Sequence, residues 1–302
     1  MKTSAPDTIT LIAWAGIVVC GGSNAVAIRV GTVHLEPFWG AALRFGLAAV
    51  VLLAIMAWRR PPLPRGRALA SVGAYGLLNF AGTYAFVYWG LVDAPAGAAQ
   101  VMISTAPILT VLLAAAVGLE VFGWQRFLGT IVAAVGTVVV FGDQLRGGVP
   151  LASMAALFAS AVCIAAGGIV VKKFPVGNPI SANALGMLIG AVILGVISVV
   201  AAESWRLPAE TRTWASLAYL VVVGSVGLFM LFLYVIERWS ATAASYPLLL
   251  MPLVTVLVAA VLLDEPIRPL FLAGAALVLL GVYLGAFAPP LRQPKPGAAF
   301  AK

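Results

Sequence analysis

Apolar residues run along the chain in stretches of about twenty, each ended by a short polar, glycine-bearing or proline-bearing break. A bilayer core about 30 Å thick takes roughly 20 residues of α-helix to cross, so each stretch has the length of one span. Ten such stretches cover 8–28, 37–58, 68–91, 95–118, 124–141, 150–171, 180–202, 213–236, 241–262 and 268–287. The pattern predicts an all-α membrane protein of ten transmembrane helices with almost nothing left for a soluble domain. The first apolar run opens at Ile9, is long enough to span and is followed by no cleavage site, so it reads as helix one and not as a signal peptide.

Composition agrees with the bilayer as solvent, since 63% of the 302 residues are hydrophobic and 9% charged, more apolar surface than a soluble globule could bury. The formal charge of +8 changes the picture only through its placement. Basic residues sit in short loops beside spans, not in the stripe that would suit nucleic acid, so no nucleic-acid partner is expected. With a cytoplasmic N-terminus, Lys2, Arg59, Arg60, Arg65, Arg67, Arg126, Lys172, Lys173, Arg238, Arg292, Lys295 and Lys302 fall inside. Arg29, Arg146, Arg206, Arg212 and Arg268 fall outside, twelve against five. The positive-inside bias therefore predicts both termini inside. Cys20 and Cys163 both lie within spans, where a soft apolar side chain is tolerated and no disulfide or metal chemistry is implied. No cofactor is expected.

The chain repeats itself. A shift of 145 residues places Pro107 on Pro252, Thr110 on Thr255, Glu120 on Glu265, Gly129 on Gly274 and Gly136 on Gly281. Nearer the start, a shift of 143 places Cys20 on Cys163 and Arg29 on Lys172. The repeats cover 8–142 and 149–288, with a cytoplasmic tail at 289–302. Each holds five spans, and an odd number makes the second copy enter the membrane from the opposite side. Inverted repeats are the architecture of secondary transporters, whose near-equivalent halves exchange conformations around a midplane site.

These residues resemble the drug/metabolite transporter superfamily, specifically its two-repeat, ten-helix branch with duplicated EamA domains. The likeness rests on Cys20-Gly21-Gly22-Ser23-Asn24, on Pro37 to Phe45 (PFWGAALRF), on Ala94 to Leu113, and on Glu120 through Gly129 and Gly136. The helix-four-and-five pattern returns from Ala241 to Gly281, without a counterpart to Arg44. The chain looks most similar to bacterial exporters of aromatic and other neutral amino acids. The resemblance implies a multi-pass protein of the bacterial inner membrane working by alternating access. It also implies a central cavity lined mainly by helices one, three, four, six, eight and nine, with the fifth helix of each repeat at the periphery. A multidrug or nucleoside permease of the same superfamily is the alternative.

Polar groups inside a span are costly and mark function. Every Asp and Glu lies at a predicted helix end and His34 lies in a loop, leaving Arg44 as the sole ionisable residue well within a span. Facilitated flux, and not carboxylate-based proton exchange, is the expectation. Arg44 could bind a substrate carboxylate, hydrogen-bond backbone carbonyls, or pair with Glu36.

The candidate substrate-binding residues are Asn24, Asn79, Tyr84, Tyr88, Gln100, Ser104, Ser245 and Tyr246. Gln100 and Ser104 share a helical face, and Gln100 is the repeat-equivalent of Ser245. Against this, Tyr84, Tyr88 and Trp89 also suit interfacial anchoring, and Asn24, Gln100 and Asn183 also suit hydrogen bonding between helices. Pro107, Pro247 and Pro252 are candidate hinges, each freeing a carbonyl four residues back, at Ile103, Ala243 and Leu248. Such acceptors could face a substrate ammonium. Gly129, Gly136, Gly274, Gly281 and Gly285 form small faces for close helix contact. There is no HExxH or GxSxG, so no enzyme is expected. The partners implied are a small-molecule substrate and the lipid bilayer, and a monomer is compatible with the sequence.

Overall fold

The computed structural model describes residues 6–31, 35–145, 148–262, 266–267 and 269–288. Readings made at Lys2, His34, Arg146, Asp264, Glu265, Arg268 and the tail 289–302 lie outside these described residues. Among the described residues every regular element is helical. We number the spans α1 (Thr8–Gly31), α2 (Pro37–Arg59), α3 (Arg67–Tyr75, Gly76–Gly82 and Thr83–Leu91) and α4 (Ala96–Ile103 and Ala106–Ala116). Next come α5 (Trp124–Leu145), α6 (Leu151–Lys173) and α7 (Pro179–Val200). The last are α8 (Thr211–Val221, Val222–Gly227 and Leu228–Arg238), α9 (Ala241–Ser245 and Pro247–Leu262) and α10 (Pro269–Val282 and Tyr283–Phe287).

Among the described residues nine of these are long and apolar enough to cross a bilayer. The tenth, α3, runs without interruption and is more polar, because it carries Asn79, Thr83, Tyr84 and Tyr88. Several helices begin where a side chain satisfies their orphan amides. Pro37 opens α2, and the Glu203 carboxylate from the α7–α8 loop accepts from Phe38 N (3.0 Å) and Trp39 N (2.8 Å). Asn178 Oδ1 accepts from Ile180 N at 2.9 Å to cap α7, and Ser240 Oγ accepts from Ala243 N at 3.1 Å to cap α9. A caught carboxylate at an N-terminus also meets the favourable end of the helix dipole.

The packing repeats under exchange of the two five-helix halves. α1 lies against α9 as α6 lies against α4, and α1 lies against α8 as α6 lies against α3. α2 packs on its own counterpart α7, and α5 on its counterpart α10. The α5–α10 contact is backbone to backbone. A Cβ on Gly129 would stand 2.7 Å from Gly281 O, and one on Gly136 would stand 2.7 Å from Gly274 O. The ascending order on α5 meets a descending order on α10, so the two helices run antiparallel, as inverted copies must.

Irregular turns recur at matched places. Gly76–Gly82 in α3 and Val222–Gly227 in α8 are wound as π-helix, their last residues 145 positions apart. Such wide turns leave backbone carbonyls outside the regular ladder and gather at functional positions.

Candidate functional site

The bundle encloses a cavity of about 880 Å³, placed between the halves. Its wall comes from α1, α3, α4, α6, α8 and α9, together with Val140, Phe141 and Asp143 of α5 and Phe271 of α10. The expected peripheral position of the fifth helix thus needs correction. The last turns of α5 pass the mouth of the cavity and supply its one carboxylate among the described lining residues, Asp143. This acid lies at a helix end, where the sequence places it, and the cavity extends far enough to reach it.

We call the end of the bundle at which α1 begins the near face and the other the far face. Ile28, Leu91, Ala96, Asp143 and Pro266 carry the cavity wall to the far face. At the near face, beyond Ile17, Ile236 and Ala241, the core is filled by an aromatic cluster. Trp14 meets Trp239 (ring centroids 6.3 Å) and Phe287 (5.6 Å), and Trp239 meets Phe287 (5.7 Å). Lys172 Nζ on α6 donates to Ile236 O (2.8 Å) and Trp239 O (2.7 Å), tying down the α8–α9 turn. The Glu120 carboxylate accepts from Thr242 N (3.0 Å) at the start of α9 and from Arg126 Nη1 (3.2 Å). The near face is therefore closed by the buried rings of Trp14 and Trp239, with the exposed Phe287 packed on them, and by charge-assisted bonds, while the cavity wall extends to the far face.

Asn24, Asn79, Tyr84, Gln100 and Ser245 all stand on the cavity wall. Gln100 and Ser245 come from equivalent positions of the two halves. Their neighbours are apolar: Ile17, Phe141, Phe229, Phe232 and Met251. The wall is thus a mostly apolar chamber with a few neutral hydrogen-bonding groups, a surface suited to small amphipathic molecules.

Tyr88, Ser104 and Tyr246 stand elsewhere. Tyr88 is buried beside Tyr84, with ring centroids 6.4 Å apart, and is no part of the wall. Ser104 is buried off the wall, and its hydroxyl turns back on its own helix to donate to Val101 O at 2.6 Å. Tyr246 is fully buried, its hydroxyl 2.9 Å from Thr130 Oγ1 and donating to Arg126 O at 3.1 Å on α5. It anchors α9 to α5 because Gly285 leaves room for its ring. Tyr246→Phe is expected to lower stability by about 1 kcal/mol, the usual net worth of a hydrogen bond, with the apparent KM for substrate unchanged. A KM shift of several-fold in a transport assay would return Tyr246 to the pathway.

Two of the three candidate hinges lie beside breaks of helix. α4 is interrupted between Ile103 and Ala106 with Pro107 in the next turn, and α9 restarts at Pro247 after a break at Tyr246. Pro252 lies inside the following segment. Pro247 lines the cavity, whereas Pro107 and Pro252 are buried off its wall. The carbonyl freed at Ala243 accepts from Trp14 Nε1 at 2.9 Å, so it is spent on the aromatic cluster and does not await a substrate ammonium. Sequence reasoning also passed over the wall residues Thr83, Thr110 and Thr255, although the register match of Thr110 with Thr255 marked both. Thr255 Oγ1 donates to Gly22 O at 2.8 Å, joining α9 to α1.

Arg44 is 1% exposed and lies behind the wall. Nε donates to Ser225 Oγ and Nη2 to Gly224 O, both at 2.8 Å, in the π-turn of α8. The guanidinium also sits over the rings of Phe45 (5.1 Å) and Tyr84 (5.4 Å). The possible pairing with Glu36 is not made, and Glu36 Oε1 instead accepts from Ser204 Oγ at 3.2 Å.

Comparison with known proteins places these features in a wider set. The EamA-like transporter family model matches residues 8–142 and again 151–286. A probable amino-acid metabolite efflux pump of Salmonella typhimurium is 28% identical over 286 residues, covering 90% of this chain and 92% of the relative. A probable terminal-alkyne amino-acid exporter of Streptantibioticus cattleyicolor is 30% identical over 287 residues, covering 91% of this chain and 90% of the relative. A chain solved by crystallography shares the fold with a TM-score of 0.79 at 18% identity, over 93% of this chain and 98% of its own.

Proposed function

Because the chain belongs to the EamA-like transporter family, we propose that it is an inner-membrane secondary transporter exporting neutral or aromatic amino acids and related small metabolites by alternating access. The observation that carries this reading is the chamber itself. It is about 880 Å³ in volume, largely apolar, with neutral polar groups contributed from both halves and with one end closed. Phe141, Phe229 and Phe232 supply aromatic surface, and Asn24, Gln100 and Ser245 supply neutral donors and acceptors for an amine and a carboxylate. The similarity to two proteins named for amino-acid export points the same way.

In our reading the near face is cytoplasmic, following the excess of Lys and Arg on that side. The structure is then the state open to the periplasm, and substrate leaves through the wall of Ile28, Leu91 and Ala96. The deep part of the chamber holds no carboxylate among the described residues, so flux is driven by the substrate's own gradient. Asp143 near the mouth is the group through which proton coupling would enter.

Uptake into proteoliposomes tests this. Saturable flux of neutral and aromatic amino acids, unchanged by an imposed pH gradient, is the expected result. Gln100→Ala is expected to raise the apparent KM several-fold, since one hydrogen bond to a charged substrate group is worth about 1.5–3 kcal/mol. Uphill accumulation driven by a pH gradient would replace facilitation with proton exchange. Flux of nucleosides or drugs without flux of amino acids would move the protein to that branch of the family.

A further inference from the structure

Among the described residues, Arg44 is a buried charge with no ion-pair partner. Its two donated bonds go to neutral groups, Ser225 Oγ and Gly224 O, and Nη1 has no partner among the described residues. An ion in this setting loses its hydration and gains only dipoles and ring faces in exchange. Such residues within spans persist where their charge acts on something.

Two routes connect this charge to the chamber. Tyr84, whose ring lies 5.4 Å from the guanidinium carbon, forms part of the cavity wall. Asn24 also lines the cavity and donates Nδ2 to Gly224 O at 3.0 Å, the same carbonyl that Arg44 Nη2 engages at 2.8 Å. The Asn24 Oδ1 atom, like Arg44 Nη1, is buried and unpartnered. A positive charge therefore stands one side chain behind the polar patch, with low-dielectric material between. At either shift between the repeats, 143 or 145 residues, the position equivalent to Arg44 is apolar, Met187 or Ile189, so the charge belongs to one half only and makes the chamber electrically asymmetric.

We propose that Arg44 is a specificity-determining residue of this transporter, a buried positive charge that makes the Asn24–Tyr84 side of the chamber select substrates carrying a carboxylate and disfavour cations. The inference deepens the reading above, since it rests on this cavity being the substrate pathway. Arg44 acts through space and through the two wall residues without touching the substrate. Field effects of this kind are strong where water is excluded.

The test uses the purified full chain and ligands matched in shape but differing in charge. The first pair is phenylalanine and phenylalaninamide, and the second is 3-phenylpropanoate and 3-phenylpropanol. Binding is read by competition or intrinsic fluorescence for the wild type, Arg44→Lys and Arg44→Met. The expected result is that the wild type prefers the carboxylate member of each pair by at least tenfold, about 1.4 kcal/mol. Arg44→Lys keeps most of that ratio, and Arg44→Met brings it towards one while leaving the affinity for the uncharged alcohol in place.

A wild-type ratio near one in both pairs overturns the proposal even if Arg44→Met cannot be purified. Equal weakening of both members of a pair by Arg44→Met does the same, because it would show a purely architectural residue. If the amino acid pair fails to bind and the phenylpropanoate pair shows the Arg44-dependent ratio, the amino-acid reading falls and this inference stands.

Discussion

Gly281→Val is expected to leave almost no folded protein. A Cβ at Gly281 would overlap the backbone of Gly129 and Ala133 on α5, and no rotamer change can relieve a clash with main chain. The helices would have to part along the whole α5–α10 seam, where Gly129, Gly136 and Gly274 make the same kind of contact. Within a bilayer such seams hold by close packing and not by exclusion of water, so a parted seam loses most of its attraction. Overpacking in a core typically costs about 1–3 kcal/mol and more where the backbone must shift. Gly281→Ala should therefore already lose that much, and valine should abolish the monodisperse peak in size-exclusion chromatography. The control is Gly195→Ala on α7, where a Cβ meets nothing within 4 Å and stability should hold or rise with helix propensity. If both glycine variants of the seam behave like Gly195→Ala, close approach is not what binds α5 to α10.

Trp14→Ala carries the second large effect, on stability and on access together. The indole packs on Trp239 and Phe287 and donates to Ala243 O. Truncating a buried Trp costs about 3–5 kcal/mol, and here it also removes one of the two donors to the Ala243 carbonyl, leaving Tyr246 N alone on it. The near-face seal should thin. With Cys20 and Cys163 replaced, a cysteine introduced at Ser245 on the wall is expected to react with an impermeant thiol reagent from the near face in Trp14→Ala and not in Trp14→Phe. Equal protection in both variants would mean that the seal is held by Lys172 and Glu120 without the aromatic cluster.

How far the sequence could be read follows from which physics each feature depends on. Span positions were legible because hydropathy is local. Even α3, the most polar span, was marked by its length between Arg67 and the loop at Val92–Pro95. The repeat register was legible because prolines and glycines carry backbone meaning that survives divergence. Asn24, Asn79, Tyr84, Gln100 and Ser245 could be chosen by depth and polarity. What distinguishes them from Tyr88, Ser104 and Tyr246 is helical azimuth, and the breaks in α4 and α9 and the π-turns in α3 and α8 shift azimuth by amounts that no residue pattern announces. Arg44 was visible as a buried charge, but its partners Gly224 and Ser225 come from α8, about 180 positions away, and the carbonyl it holds is offered by an irregular turn.

The two π-turns carry a further consequence. In α8, Gly224 lies under the amide of Asn24 from α1, and in α3, Asn79 presses its amide on Gly167 of α6. Residues 24 and 167 correspond under the 143-residue shift, and 79 and 224 under the 145-residue shift. The first half thus holds both asparagines and the second half both glycines. Two copies of the first half would bring Asn against Asn at each of these contacts, and two copies of the second would leave Gly facing Gly across a gap. The halves have diverged like a key and its lock: each is now shaped to reject its own duplicate, and the fused chain is the arrangement in which both contacts fill.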